Sequence, residues 1–267
     1  MITNFLFMDE KFADEGVPLR ARAISLTGIL ISADAHRAFK GRFYGLVHRT
    51  IGDEQHVISP MPVVHAMDLF PGKDDDTRFR FLEGIVQIVA DLGFRTYRVG
   101  YRPTQELLKI VGDKEGVLGL CFASMLHCLE GELAKSVIWP VMEIDRNSSK
   151  QDRSFAGLVQ SVDYMTSRLG SASMSVHNDN LGELLYTTKK SAYGSLVDCI
   201  AYLLHLRFLR SIGHSLTPFK SRLADIASSL EPVISFDEVI EMKMEMPPAG
   251  YLSNGPVRFM VPVTPQD

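Results

Sequence analysis

The chain has 267 residues, of which 46% are hydrophobic and 22% are charged, the ordinary composition of a globular protein. This composition excludes a disordered tail protein, a collagen-like fibre and a simple coiled coil. Lys and Arg total 28 against 32 Asp and Glu, so the formal net charge is −4. Without a basic excess, any polyanion would have to bind a local patch rather than the whole surface.

The cysteines, the amino terminus and the apolar runs together predict a cytoplasmic protein. The three cysteines, Cys121, Cys128 and Cys199, form no C-x-x-C pair, which is typical of a reduced, cytoplasmic protein. The amino terminus has no basic leader and reaches acidic residues by position 9, unlike a signal peptide. The longest apolar runs are short and interrupted by polar residues, so we expect no membrane span.

The predicted elements begin with a strand at 2–8 that is apolar on both faces and should therefore be covered on both sides. Strands and helices then follow one another along the chain. We predict strands at 22–32, 62–69, 94–102, 136–145, 171–176 and 233–240, and helices at 33–48, 78–92, 104–110, 117–133, 152–169, 191–210 and 219–230. Pro140 indicates an edge, a bulge or a late start in its strand.

This order fits an α/β fold with a mixed sheet and helices on its faces. Three successive acids at 74–76 suit a solvated helix start. The region after residue 211 is expected to be a C-terminal addition, a helix and a strand packed on the same domain.

Asp198 is the most informative residue of the chain. The predicted helix around it is apolar nearly all round, and an ionised carboxylate inside such a helix is costly unless it is paired or binds a metal. The alternative is that Asp198 is stabilised by the helix dipole or by Lys189 or Lys190.

Two more acids close apolar strands. Asp9 ends the first strand, and ligand sites in α/β sheets lie at strand ends. Asp145 ends the strand VMEID, where Glu143 would lie on the same face about 7 Å away. For both aspartates the alternative is a polar residue in a turn.

Carboxylates that converge without matching cations repel one another, and a hard divalent cation relieves that repulsion. Mg²⁺ or Mn²⁺ is the expected ion, because no Cys/His cluster would select zinc. Such a cluster supports phosphodiester hydrolysis by metal-activated water.

The ordered motifs resemble the domain-of-unknown-function 3800 family, which is placed with the ribonuclease H-like superfamily. In that family an early strand ends in Asp-Glu-Ser-Gly, a His-Ala segment and a later strand each carry an acid, and a late helix follows Ser-Lys. The corresponding segments here are FLFMDE with Asp9 and Glu10, VVHAMD with His65, Ala66 and Asp68, VMEIDR with Asp145, and KKSAYGSLVDCIAYLLH with Lys190, Ser191 and Asp198. Lys11 stands where the family has Ser.

The resemblance covers residues 1 to about 211 and implies a ribonuclease H-like domain: a five-stranded mixed sheet flanked by helices, with acids gathered at one end. It implies a metal-dependent nuclease only by superfamily analogy. On this hypothesis the ions are held by Asp9, Asp145 and Asp198, with Asp68 or His65 completing the shell and Glu10 and Glu143 in reserve. The expected partner is DNA or RNA.

Three basic residues are candidates for substrate binding. Lys189 and Lys190 precede the helix that carries Asp198 and could neutralise phosphate there. Arg98 lies among aromatic residues in the strand FRTYRVGYR, a pattern that can grip phosphate and stack bases. Its alternative is a half-exposed strand with cross-strand Arg–Tyr contacts.

A different class of function stays open. A ribonuclease H-like module without catalytic activity could act by binding a partner protein in a mobile-element or defence complex, or by forming a homodimer. The altered turn after Asp9 and the net negative charge favour this alternative.

Overall fold

A computed structural model of the chain describes residues 2–11, 22–51, 64, 66, 69–70, 72–144, 180–182, 184–188 and 191–241. The predicted helix at 152–169 and the predicted strand at 171–176 lie outside these residues. The strands and helices named below are those formed by these residues.

Six strands form one mixed sheet with the order β5-β4-β1-β2-β3-β6. The strands are β1 (Ile2–Lys11), β2 (Ile24–Ser32), β3 (Arg95–Tyr101), β4 (Ser136–Ile144), β5 (Leu185–Thr188) and β6 (Ile234–Ile240). β2 is antiparallel to β1 and β3, whereas β1–β4, β4–β5 and β3–β6 are parallel pairs. The predicted α/β fold with a mixed sheet is confirmed, and β6 adds a sixth strand beside β3.

Helices cover both faces of this sheet. They are α1 (His36–Ile51), α2 (Asp75–Asp91), α3 (Gln105–Val111), α4 (Lys114–Cys128), α5 (Glu130–Leu133), α6 (Ala192–Ser211) and α7 (Pro218–Ser228). One core contains Phe7 of β1 together with α1, α2, α6 and α7, and the other contains Leu6 and Met8 of β1 together with α4. β1 is therefore buried on both faces, as its apolar sequence predicts.

Local side-chain bonds explain where helices begin. The carboxylate of Asp74 accepts a hydrogen bond of 2.7 Å from the backbone N–H of Thr77, so the run of acids is the capped start of α2. Gly93 follows the same helix with φ of 63°, a conformation that favours glycine. Ser191 caps α6 by accepting a hydrogen bond of 2.9 Å from the N–H of Gly194.

Two expectations differ from the structure. Val64, Ala66 and Leu69, the described residues of the predicted strand at 62–69, lie in no strand. The helix predicted at 117–133 is two helices, α4 and α5, which meet at Leu129.

Pro140 lies in an interior strand rather than at a sheet edge. Its neighbour in β1 is Leu6, but β5 begins to pair with β4 only at Val141. The missing N–H of Pro140 therefore falls before the ladder on the β5 side begins, which is where a strand tolerates proline.

The C-terminal extension packs on the rest of the fold, because α7 contacts α6 and β6 pairs with β3. Within the described residues, α6 alone is long and apolar enough to cross a membrane, and 89% of its most apolar window is buried inside the protein. Such burial is that of the core helix of a soluble protein.

Candidate functional site

Asp9 lies inside β1, two residues before its carboxyl end, because the strand continues to Lys11 instead of closing at Asp9 as predicted; the residue is 7% exposed. The pairing of β1 with β2 is continuous from Asn4 to Lys11, so side chains alternate strictly between the two faces. Asp9 therefore shares the face of Phe7, which is covered by α6. Glu10 projects from the opposite face, so this reserve ligand is separated from Asp9 by the sheet.

A polar stripe runs along α6. Its members follow the spacing i, i+3, i+7 and i+10 and so lie on one side of the helix: Ser195, Asp198, Tyr202 and His205. Ser195 and His205 are 3% and 5% exposed, whereas Asp198 is half-buried. A stripe of this kind places polar side chains inside the protein on an otherwise apolar helix.

Two contacts fix how α6 lies against β1. The ring of Tyr193 stacks on Phe7 with centroids 4.2 Å apart, and Nζ of Lys11 lies 5.8 Å from the ring centroid of Tyr202. The strand and the helix therefore run in the same direction. Four residues of strand and nine residues of helix both span about 13 Å, so the two contacts are separated by the same length along β1 and along α6.

Asp9 and Asp198 lie between these two contacts at the same level. Asp9 is two residues beyond Phe7, about 7 Å along the strand, and Asp198 is five residues beyond Tyr193, about 7.5 Å along the helix. Asp198 is also one helical turn from Tyr202, on the side of α6 that meets the end of β1. These spacings place Asp9 and Asp198, which are 189 residues apart in the chain, at a similar level along β1 and α6.

The His-Ala segment meets the same place. Oδ2 of Asp198 accepts a hydrogen bond of 2.7 Å from the backbone N–H of Ala66. A hydrogen bond to an ionised acceptor is among the stronger ones in proteins. The bond holds Ala66 against α6. The sequence suggested the helix dipole or a lysine as the group that stabilises Asp198, and it gave no indication of a bond from Ala66.

The carboxyl end of β4 lies beside that of β1. The two strands are parallel, and their register runs from Ile2 opposite Ser136 to Met8 opposite Met142. β4 ends at Ile144, immediately before Asp145, and the backbone of Glu143 pairs with Thr187 of β5. Asp145, Asp68, His65, Lys189 and Lys190 themselves lie outside the described residues.

Asp9 also begins a polar row across the sheet. In register it stands opposite Thr27 of β2, Thr27 stands opposite Arg98 of β3, and Arg98 stands opposite Asp237 of β6. Thr27 and Arg98 are buried. Neighbouring strands are about 4.8 Å apart, so Arg98 lies roughly 10 Å from Asp9 across the sheet.

The contacts of Arg98 are those of an interior ion pair. Its side chain is 4% exposed, its Nε is bound to Asp237, and its Nη1 donates a hydrogen bond of 2.8 Å to the carbonyl oxygen of Leu204. Burial lowers the pKa of this guanidinium, and the charge of Asp237 opposes that effect. These contacts favour a structural role for Arg98 over the expected contact with nucleic acid.

The arginines that begin and follow β3 are also bound to acids. Arg95 is bound to Glu132, and Arg102 lies 2.6 Å from Glu241. The alternative of a half-exposed strand with Arg–Tyr contacts does not describe β3, because the strand is buried apart from half-buried Arg95 and the arginines contact carboxylates.

Sequence reasoning overlooked several residues of the site. Ser195, Tyr202 and His205 share the helical spacing of Asp198, and this spacing was a usable signal. The sequence gives no comparable signal for Thr27, because a single threonine in an apolar strand is common. Lys11 was noted only as a departure from the family pattern.

A divalent cation would find part of its ligand set here. Among the described residues, no three His, Cys, Asp or Glu side chains form a group that could hold a metal ion. Asp9 and Asp198 supply carboxylate oxygens, the ligands that suit Mg²⁺ and Mn²⁺. The chemistry of these two residues fits the expected ion, and the remaining expected ligands lie outside the described part of the chain.

Comparison of the chain with protein-family models, with curated proteins and with solved structures finds no match.

Proposed function

We propose that this protein is a divalent-metal-dependent nuclease of ribonuclease H-like fold, in which Asp9, Asp145 and Asp198 bind Mg²⁺ or Mn²⁺. Asp68 or His65 would complete the site. The observation that carries the proposal is the hydrogen bond from the N–H of Ala66 to Asp198. It joins a residue of the VVHAMD motif to the aspartate of the motif on α6.

The sheet supports the same proposal. Strands β1 to β5 make a mixed sheet of five strands flanked by helices, the arrangement that the resemblance implies. β1 and β4 are parallel neighbours; Asp9 lies two residues before the end of β1, and Asp145 is the residue that follows β4 in the sequence.

The chain's own residues would do three things in this site. Asp9 and Asp198 would hold the ions, and their burial would strengthen each electrostatic contact. Lys189 and Lys190 would meet the phosphate backbone next to α6. When bound, the metal would supply an activated water and a counter-charge for the leaving oxygen.

The substitution Asp198→Asn tests the proposal. The asparagine keeps an oxygen that can accept the hydrogen bond of Ala66 but removes the charge that binds a cation. We expect Mn²⁺-dependent cleavage of DNA or RNA to fall more than about 100-fold, since even groups that only orient a metal ligand contribute roughly 10–100-fold. Cleavage of labelled single- and double-stranded oligonucleotides measures this.

Two further variants make that experiment sharper. Asp198→Ala removes both charge and acceptor, so it should lower thermal stability as well, whereas Asp198→Asn should not. Asp34→Asn is the matched control: Asp34 is exposed and follows β2 at the end of the sheet opposite Asp9, so activity should be unchanged. Full activity in the Asp198→Asn variant would refute the assignment of Asp198.

A module without catalytic activity is the second candidate. The bond between Asp198 and Ala66 favours this alternative, because holding Ala66 against α6 already gives Asp198 a structural role. On this alternative the wild-type protein cleaves nothing and binds no Mn²⁺ at millimolar concentration, and it acts through a partner protein.

A further inference from the structure

Lys11 occupies a defined place at the end of β1. Its side chain is half-buried, and its Nζ lies over the ring of Tyr202, 5.8 Å from the centroid. An ammonium group at this distance from an aromatic face is attracted to it by the ring's electron density. The contact holds the aliphatic part of the lysine against α6.

The position of Lys11 relative to the acids follows from two spacings. On β1 it is two residues beyond Asp9, so both side chains lie on the face covered by α6, about 7 Å apart. On α6 its contact Tyr202 is one turn beyond Asp198, about 6 Å along the axis. Lys11 therefore lies about 6–7 Å beyond both carboxylates, in the direction of the carboxyl end of β1.

We propose that Lys11 binds a phosphate group of the nucleic acid substrate at the entrance to the carboxylate site, an inference that rests on the proposed function. A nuclease site that gathers carboxylates repels its polyanionic substrate, and the metal ions offset only part of that charge. An ammonium group at the entrance attracts the phosphate backbone. Because Tyr202 restricts the lysine, little side-chain entropy is lost when phosphate binds.

Lys11→Met tests this role. Methionine keeps the length and apolar character of the stem over Tyr202 and removes the charge. Binding of a fluorescein-labelled single-stranded oligonucleotide is measured by anisotropy in EDTA over a series of salt concentrations. We expect the Kd to rise roughly 5- to 10-fold and the slope of log K against log salt to fall by about 0.7, the loss of one phosphate contact.

Two control variants accompany it. Lys11→Arg keeps the charge and should retain most of the affinity. Lys135→Met removes one positive charge at the opposite end of the sheet, because exposed Lys135 precedes β4 where Ser136 pairs with Ile2. This variant should bind the oligonucleotide like the wild type. Thermal unfolding of each variant checks that it is folded, and if Lys11→Met is unfolded, Lys11→Gln replaces it.

The outcomes separate this inference from the proposed nuclease activity. Unchanged affinity and salt slope in Lys11→Met would overturn the role of Lys11, even if the wild type cleaves nucleic acid. Wild-type protein that binds no oligonucleotide would overturn it too. Lower stability with unchanged binding would make Lys11 an internal counter-ion of Asp9 and Asp198. If the wild type binds the oligonucleotide through Lys11 but neither binds Mn²⁺ nor cleaves nucleic acid, the proposed nuclease activity is contradicted and the role of Lys11 is kept.

Discussion

Tyr101 shows at the scale of one residue how burial sets the chemistry of a side chain. The residue ends β3 and is buried, and its hydroxyl lies 2.7 Å from Oγ of Ser124 in α4. Burial disfavours the charged phenolate and raises the pKa of Tyr101 to about 12, although the bond to Ser124 acts in the opposite direction. The residue therefore links the stability of the fold to alkaline pH.

The sign of that linkage gives a prediction. An unfolded tyrosine loses its proton near pH 10 and the folded one near pH 12, so between these values the unfolded state is favoured as pH rises. Stability contributed by Tyr101 is fully present below about pH 10 and is lost as pH approaches 12, by on the order of 2–3 kcal/mol.

The variant Tyr101→Phe removes this titration. At neutral pH it should lose about 1 kcal/mol with the hydrogen bond to Ser124, but its stability should fall less between about pH 10 and pH 12. Urea unfolding at a series of pH values measures both effects. An equal alkaline loss in the wild type and the variant would show that other groups are responsible.

At the scale of elements, an ion network ties β6 to the rest of the sheet. Asp237 of β6 is bound to Arg98 of β3, and its Oδ2 lies 3.8 Å from Nη1 of Arg207 in α6. Arg207 also contacts Glu231 before β6. Two arginines thus meet two acids where three elements join, so the C-terminal strand is placed by charge as well as by its backbone.

Breaking this network should be costly. Asp237→Asn leaves Arg98 buried without its counter-charge, and we expect the free energy of unfolding to fall by about 3–5 kcal/mol. The double substitution Arg98→Met with Asp237→Leu should recover much of that loss, because no buried charge is left unpaired. Chemical denaturation of the wild type, the single variants and the double variant gives the coupling energy.

An exposed ion pair serves as the control. Arg210 and Asp225 are bound across α6 and α7 with about half or more of each side chain exposed, so Asp225→Asn should cost less than about 1 kcal/mol. If Asp237→Asn costs no more than this control, the network does not stabilise β6.

Much of the fold could be predicted where the signal is local. The sequence of β1, apolar on both faces, the largely apolar sequence of α6 and the caps Asp74 and Ser191 each carry their information within a few residues. The segment around Ala66 was predicted as a strand because an apolar run suits one, but Ala66 donates its N–H to Asp198, 132 residues away. A bond of that kind leaves no trace in the local pattern.

The same distinction applies to the candidate site. Asp9 and Asp198 stood out because a carboxylate in apolar surroundings is rare. Arg98 was assigned to the substrate because its partner Asp237 lies 139 residues later and gives no signal near β3. That the strand and the helix hold both acids at one level depends on the contacts of Tyr193 and Tyr202, which only the folded chain contains.

At the scale of the whole molecule, metal binding should appear as stability. A ligand that binds only the folded state at 100 times its Kd adds about 2.7 kcal/mol. For a chain of this length we therefore expect Mn²⁺ to raise the Tm by roughly 5–10 °C. Thermal unfolding with Mn²⁺ and with EDTA measures the shift, and calorimetry measures the binding itself.

Asp9→Asn separates a specific site from general binding of cations. The variant should lose the Mn²⁺-dependent rise in Tm, and its own Tm in EDTA serves as the baseline for that comparison. Asp34→Asn should keep the rise. No heat of binding and no shift in the wild type would leave the module without catalytic activity as the function to pursue.

The place of α6 in the chain has a consequence for synthesis. This helix covers one face of the sheet and is itself packed against α1, α2 and α7, yet it begins only at Ala192. Translation releases the amino terminus first, so β1 to β4 leave the ribosome seconds before the helix that shields them. During that interval the nascent chain presents Phe7, Ile29 and Ile31 to solvent or to a chaperone, and the last third of the polypeptide completes the burial of the first.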